Sequence, residues 1–246
     1  MLRQTTAVIR GRLSDPGPTV LLVDDEEPLR QVLRARLTAR GYLIQEASTG
    51  EDVLRIVPML RPDIIVLDIG LPGIDGIEVT RRLRTSIQTP IIMLSVRASD
   101  SDKIAALNAG ADDYLTKPCD LKDLPNRIRV ALFRLTIGNA PVVALGDIVA
   151  DLRSRSIRIS GSPIQLTAKE YDLLEVFVLN AGRLLTQDRL AHEVWGKMSS
   201  DDALYMLRTT ITTLRHKLDQ DSKAVRPAYI EAEPGVGYRL HIVFPR

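Results

Sequence analysis

The chain has 246 residues, long for one hydrophobic core and comfortable for two, and its 45% hydrophobic and 26% charged content excludes a disordered polypeptide. A single cysteine excludes an intramolecular disulfide, and no apolar run approaches the roughly 20 residues that span a bilayer, so the expected location is cytoplasmic with no membrane partner. Net charge is +2; residues 19–137 hold 16 Lys+Arg against 17 Asp+Glu, and residues 142–246 hold 14 against 13, so neither half is basic enough for charge alone to argue for nucleic acid.

Residues 1–18 carry Arg3, Arg10 and Arg12 without a continuous apolar segment or a cleavage site, which reads as a loose tail and not a signal peptide. From Thr19 to residue 137 short β-rich runs alternate with amphipathic helical ones: TVLLVDD, PLRQVLRARLTARG, YLIQEAS, GEDVLRIVPMLR, DIIVLDIG, GIEVTRRLRTS, PIIMLSV, DKIAALNAG, DDYLTKP and DLKDLPNRIRVALFRL. Five strands alternating with five helices predict an α/β doubly wound domain, a parallel sheet covered on both faces. Ligands of such sheets sit outside the carboxyl ends of the strands. Asp24 and Asp25 end the first strand, Asp68 the third and Ser95 the fourth, and Lys117 follows the fifth. Three carboxylates meeting there repel one another unless a cation intervenes, and hard oxygen donors left partly open suit Mg²⁺. A lysine and a hydroxyl beside them suit the remaining oxygens of a phosphoryl group. Asp68 is the expected nucleophile, forming an aspartyl phosphate, with Asp24 and Asp25 as metal ligands.

The blocks TVLLVDDE, DIIVLDIGLPGIDG, IIMLSV and AGADDYLTKP resemble the signature segments of response-regulator receiver domains, whose fold is flavodoxin- or CheY-like. The resemblance implies that Asp68 takes its phosphoryl group from a sensor histidine kinase and that the backbone carbonyl of Gly70 joins Asp24, Asp25 and Asp68 as a metal ligand. It assigns Ser95 as the switch hydroxyl, Tyr114 as the rotating aromatic and Lys117 as the phosphate-binding lysine, and implies a cis Lys117–Pro118 peptide. Two positions depart from the pattern. Val96 stands where the family commonly has a small residue, so it is expected to narrow access to the phosphoryl site. Pro125 falls just inside the last helix, which is therefore expected to begin late.

Within the OmpR/PhoB branch, receivers pair through the fourth helix, fifth strand and fifth helix. Lys103, Asp112, Asp113, Asp123, Arg127 and Arg134 match those positions, implying a homodimer when phosphorylated. Exposed charge pairs contribute only about 0 to 1 kcal/mol each, which suits a reversible switch.

Beyond a short linker at 138–141, residues 142–246 begin with the β-like runs VVALGDIVADL and SIRISGSPIQL, expected as a small antiparallel sheet. Thr167 and Glu170 form a capping box for LTAKEYDLLEVFVLNAG, and Thr186 caps TQDRLAHEVWG. In the third helix Leu204, Leu207, Ile211, Leu214 and Leu218 recur at spacings of three and four, giving one core-facing stripe. Tyr205, Thr209, Thr212, Thr213 and His216 then point outward, flanked by Arg208 and Arg215. Such a face suits a DNA major groove, with threonine reaching base edges and arginine reaching phosphate or guanine. A plain solvated helix shows the same pattern, and the segment alone favours that simpler reading.

The chain end PAYIEAEPGVGYRLHIVF reads as a β-hairpin turning at residues 234–237. Sheet, three helices and terminal hairpin resemble the winged helix-turn-helix output domain of the OmpR/PhoB branch, carried by LTAKEYDLL, GRLLTQDRLAHEVWG, LRTTITTLRHKL and EPGVGYRL. The resemblance implies promoter DNA as partner, with RNA polymerase as a further one. Many relatives place an arginine before the first hairpin glycine. Here Pro234 stands there with Glu231 and Glu233 nearby, so little minor-groove contact is expected from this wing. LDIGLP, SDKIAALNAGADDYL and RPAYIEAEPGVGYRL look most like KdpE-type regulators of potassium-uptake operons.

Two other readings use the same residues. A Mg²⁺-dependent phosphohydrolase of the haloacid dehalogenase class also joins an Asp nucleophile to a doubly wound sheet, but carries its nucleophile motif on the first strand, where this chain has its acidic pair. A regulator that works without phosphorylation is the other, with Val96 as its hint.

Overall fold

The computed structural model describes residues 17–96, 99–137, 140–196, 198, 200–219 and 229–242; most of the 1–18 tail and half of the 138–141 linker lie outside the described residues. The first half runs β1 (Thr19–Val23), α1 (Glu27–Thr38), β2 (Leu43–Ala47), α2 (Gly50–Leu60), β3 (Ile64–Asp68), α3 (Gly76–Leu83), β4 (Ile91–Ser95), α4 (Asp100–Asn108), β5 (Asp113–Thr116) and α5 (Leu124–Ile137). The five strands form one parallel sheet in the order β2-β1-β3-β4-β5. The chain reverses direction across the sheet between β1 and β3, and a crevice opens above their carboxyl ends at such a switch point.

Alternation along each strand sends side chains to two cores. Leu21, Ile65, Leu67 and Met93 pack with Val53, Val57, Val79 and Leu83 of α2 and α3 on one face. Leu22, Val66, Ile92 and Leu94 pack with Leu33 and Leu37 of α1 and Leu124 and Ile128 of α5 on the other. Strands buried on both faces are the reason β3 and β4 read as unbroken apolar runs. Helix starts are fixed by side-chain caps: Thr49 accepts from Asp52 N–H, Asp75 from Glu78 N–H and Ser99 from Asp102 N–H. α3 begins directly beneath the end of β3, where a Cβ on Gly76 would stand 2.2 Å from the Asp68 carbonyl oxygen. Only glycine lets the helix start this close to the strand end that carries Asp68.

Pro125 does not delay α5. A 3₁₀ turn over Cys119–Lys122 precedes the helix, which begins at Leu124, and a proline in the first turn gives up an N–H that has no intrahelical partner anyway.

The second half begins with an antiparallel sheet of β6 (Val142–Leu145), β7 (Ile148–Asp151), β8 (Ser156–Ile159) and β9 (Ser162–Ile164). There follow α6 (Ala168–Leu179), β10 (Leu185–Thr186), α7 (Gln187–Trp195), α8 (Ser200–Asp219) and a hairpin of β11 (Ile230–Glu233) with β12 (Gly237–Leu240). The Thr167/Glu170 capping box opens α6 and the Thr186 side chain caps α7. Strand β10 was not legible in the sequence: two residues pair with β12 to make the hairpin a three-stranded sheet, and two residues carry no period.

Leu207, Ile211, Leu214 and Leu218 of α8 are buried against Leu174 and Phe177 of α6, Leu190 and Val194 of α7, and Ile230 and Leu240 of the hairpin. Full burial of each such side chain contributes roughly 1.5–3 kcal/mol, so this stripe anchors α8 while its other face stays polar. Val130 of α5 belongs to the same cluster, so the two halves are packed together.

Candidate functional site

The crevice above β1 and β3 gathers the expected groups. Asp24, Asp68, Ser95 and Lys117 are buried, whereas Asp25 and Gly70 are exposed. Lys117 Nζ stands 2.6 Å from Asp24 Oδ2 and 2.9 Å from Asp68 Oδ2, so one ammonium bridges the two carboxylates. Strand pairing supplies this approach: Ser95 lies opposite Thr116 in the β4–β5 ladder, Lys117 N–H donates to the Ser95 carbonyl (2.7 Å), and the Lys117–Pro118 peptide is cis.

Burial pushes the Asp24 carboxyl above its usual range, only partly offset by Lys117 and the Glu26 N–H. Burial alone would lower the Lys117 ammonium, but its bonds to Asp24 and Asp68 outweigh this and raise it, so it stays charged. Carboxylate oxygens of Asp24, Asp25 and Asp68 lie within 4.8 Å of one another. Three carboxylates against one ammonium leave an anionic excess among hard oxygen donors, and that donor set fits a small divalent cation.

Two residues near this crevice were missed in the sequence. Arg30, on α1, donates to the Asp24 carbonyl, and Glu26 Oε1 stands 3.8 Å from Lys117 Nζ. Both follow the acidic pair by one helical turn or less, the only signal that could have found them. Val96 is 71% exposed and packs against little, so the expected narrowing of the site is not supported by its position. Tyr114 is buried on β5, and its N–H donates to Asp113 Oδ1 (2.8 Å).

In the second half, Tyr205, Arg208, Thr209, Thr212, Thr213 and His216 are all exposed along one side of α8. The Thr209, Thr212 and Thr213 hydroxyls donate to the carbonyls of Tyr205, Arg208 and Thr210, which leaves their lone pairs facing outward. Arg208 donates to Gln187 Oε1 at 3.2 and 3.3 Å, and so is held at the start of α7. Arg215 departs from expectation. Its guanidinium donates twice to the Ile230 carbonyl, at 3.0 and 2.7 Å, and lies 5.8 Å from the Tyr238 ring centre. It is turned away from the outer face and brackets α8 to the hairpin.

Residues 20–129 match the response regulator receiver domain family, and residues 161–240 the C-terminal domain of transcriptional regulatory proteins. The chain is 44% identical over 223 residues to the KDP operon transcriptional regulatory protein KdpE of Escherichia coli, covering 90% of this chain and 98% of that one. It is 39% identical over 224 residues to the transcriptional regulatory protein KdpE of Mycobacterium tuberculosis, with 90% and 98% covered. Among solved structures it is similar to the response regulator DrrB of Thermotoga maritima, an OmpR/PhoB homologue, at 27% identity and a TM-score of 0.47, with 91% of this chain and 99% of that one covered.

The chain is a two-component response regulator of the OmpR/PhoB type. Membership implies a sensor kinase as partner and DNA as the target of the second half. Among the described residues, no helix of this regulator is long and apolar enough to cross a membrane.

The residues matched to a receiver dimer are not exposed pairs in this regulator. Asp112 and Asp113 are buried. Asp112 is held by Arg84 (2.8 Å), Arg134 (2.5 Å) and Arg183 (3.4 Å), the last from the DNA-binding half. Arg239, also from that half, forks both oxygens of Asp113 at 2.8 and 2.6 Å. Arg127 lies 2.6 Å from Asp123 and 3.6 Å from Asp113, and Lys103 Nζ stands 2.5 Å from Glu233 Oε1 of the hairpin. Burial pushes the Asp113 carboxyl up to about 7, with Arg127 pulling the other way, so its charge depends on its guanidinium partners. Sequence spacing offers no hint of these contacts, because the partners lie in the other half of the chain.

Proposed function

We propose that this regulator accepts a phosphoryl group on Asp68 from the phosphohistidine of a sensor kinase, and that the modified receiver pairs with a second copy to bring two DNA-binding halves to adjacent promoter half-sites. The observation that carries the reading is the Lys117 ammonium held between Asp24 and Asp68. The working division is a receiver over 19–137, a linker at 138–141 and a DNA-binding domain over 142–246.

In the transfer, an Asp68 carboxylate oxygen forms the new P–O bond as the P–N bond of the phosphohistidine breaks and its electron pair returns to the imidazole nitrogen. Lys117, already charged and within reach of Asp68, shifts from carboxylate to phosphoryl oxygens and offsets their charge. The Ser95 hydroxyl is placed to accept a hydrogen bond pattern altered by the new phosphoryl group, and Tyr114 on the neighbouring strand carries the change outward. Asp24, Asp25 and the Asp68 carboxylate, with the Gly70 carbonyl, would hold Mg²⁺, which when bound neutralises charge on the transferring group. Buried ionisable groups convergent on one crevice also describe a phosphohydrolase, but the acidic pair on β1 and the nucleophile on β3 are the receiver arrangement. The relatives' shared name supports a kdp-type potassium-uptake operon as the target.

On the second half, Tyr205, Thr209, Thr212, Thr213 and His216 would face the major groove with Arg208 beside them, and Arg215 would set the angle between α8 and the hairpin. Incubation with a small phosphodonor and Mg²⁺ should load about one phosphate per chain, with Asp68→Asn as the blank. Equal loading of the Asp68→Asn protein would move the acceptor elsewhere and overturn the reading.

A further inference from the structure

The hairpin that would serve as a DNA-contacting wing is engaged with the receiver. Arg239 on β12 forks the Asp113 carboxylate, Glu233 on β11 pairs with Lys103 of α4, and Leu184 N–H donates to the Asp112 carbonyl (3.3 Å). Beneath these polar contacts Val236 at the hairpin turn and Leu184 are buried against Leu107, with Ile104 packed alongside. The approach is close enough to require glycine twice. A Cβ on Gly235 would lie 2.0 Å from Asp100 Oδ2, and one on Gly182 would lie 1.9 Å from Val130 Cγ1.

We propose that the β11–β12 hairpin is the receiver's own ligand, and that the α4–β5–α5 face carries either this hairpin or a second copy of the chain, never both. The inference rests on the pairing reading given above and names the competitor that pairing must displace. It also accounts for the hairpin's composition. An arginine at the turn would serve DNA phosphate, whereas Glu233 serves Lys103, and the one arginine of β12 is spent on Asp113. Three features make the arrangement switchable. The Lys103–Glu233 pair lies at the edge, where Glu233 is partly solvated, and such pairs are weak. The apolar patch is small. Finally, the Tyr114 N–H that bonds Asp113 Oδ1 joins this contact to the strand that ends in Lys117. Meanwhile the outer face of α8 stays exposed, so what docking withholds is the hairpin and the freedom to pair, not the recognition helix itself.

The test uses the full chain in an Asp68→Asn background, so that it needs no phosphorylation and its failure is separable from failure of the phosphoryl-transfer reading. Small-angle scattering gives the radius of gyration, and a gel shift gives affinity for promoter DNA. Lys103→Glu sets two carboxylates face to face and should enlarge the radius and raise DNA affinity about 5- to 10-fold, the size of an ordinary coupling between sites. Asp113→Asn should act in the same direction. Adding Glu233→Lys to Lys103→Glu should restore both the compact radius and the low affinity. An unchanged radius and affinity in both single variants, or a charge swap that stays as expanded as Lys103→Glu alone, would overturn the proposal.

Discussion

The phosphoryl-acceptor crevice and the outer face of α8 are both polar sites on apolar scaffolds, yet they are built in opposite ways. The crevice draws single residues from the ends of β1, β3 and β4 and the loop after β5 and buries them, so each charge depends on the others. The face of α8 draws all its residues from one exposed helix, where each side chain acts nearly alone. Buried convergent charge gives all-or-none chemistry; an exposed row gives graded affinity.

The largest effect should therefore come from the crevice. Lys117→Met removes the one cation between Asp24 and Asp68, and phosphate loading from a small phosphodonor should slow about 100-fold or more, the scale seen when one preorganised electrostatic partner is lost. A rate within about threefold of the parent would mean that the lysine is structural only.

On α8, the comparison sharpens into two substitutions one turn of argument apart. Leu214→Ala empties a fully buried site and should cost about 2–5 kcal/mol of stability, read from the fluorescence of Trp195, the only tryptophan. Thr212→Ala touches only the outer face. Its melting curve should be unchanged while operator affinity falls by about 1 kcal/mol, roughly fivefold. Equal losses of stability from both would dissolve the distinction between stripe and face.

How much of this was legible in the sequence follows the same division. Strand-end positions fixed the crevice, because a parallel sheet forces Asp24, Asp68 and Ser95 to one edge whatever the loops do. The three-and-four spacing of Leu207, Ile211, Leu214 and Leu218 fixed which side of α8 is buried. Arg215 flanks that stripe and was expected to face DNA, but its length lets it curl back to the Ile230 carbonyl, and periodicity says nothing of where a long side chain bends. Asp112 and Asp113 looked like surface charges because acidic residues usually are. Their burial is imposed by arginines at 183 and 239, more than 70 residues away, and no local pattern encodes that.

The smallest effect is expected on acidification. Burial raises the Glu170 carboxyl, but Lys217 (2.6 Å) and the Thr167 N–H (2.7 Å) more than compensate and hold it below the usual 4.5. A depressed carboxylate contributes stability that is present above pH 4.5 and lost as pH falls through the lower folded value. The Trp195-detected melting temperature should therefore drop below about pH 4.5 by more in the parent than in Glu170→Gln, in which that linkage is absent. Parallel pH profiles would show that the capping carboxylate carries none of the acid sensitivity.

The most direct measurement of the central claim is solution mass by light scattering, with Mg²⁺, in the presence and absence of beryllofluoride, a mimic of the phosphoryl group. The account predicts a monomer that becomes a dimer only with the mimic, and an Asp68→Asn protein that stays monomeric in both. A mass that does not change, or that changes equally in Asp68→Asn, would contradict it.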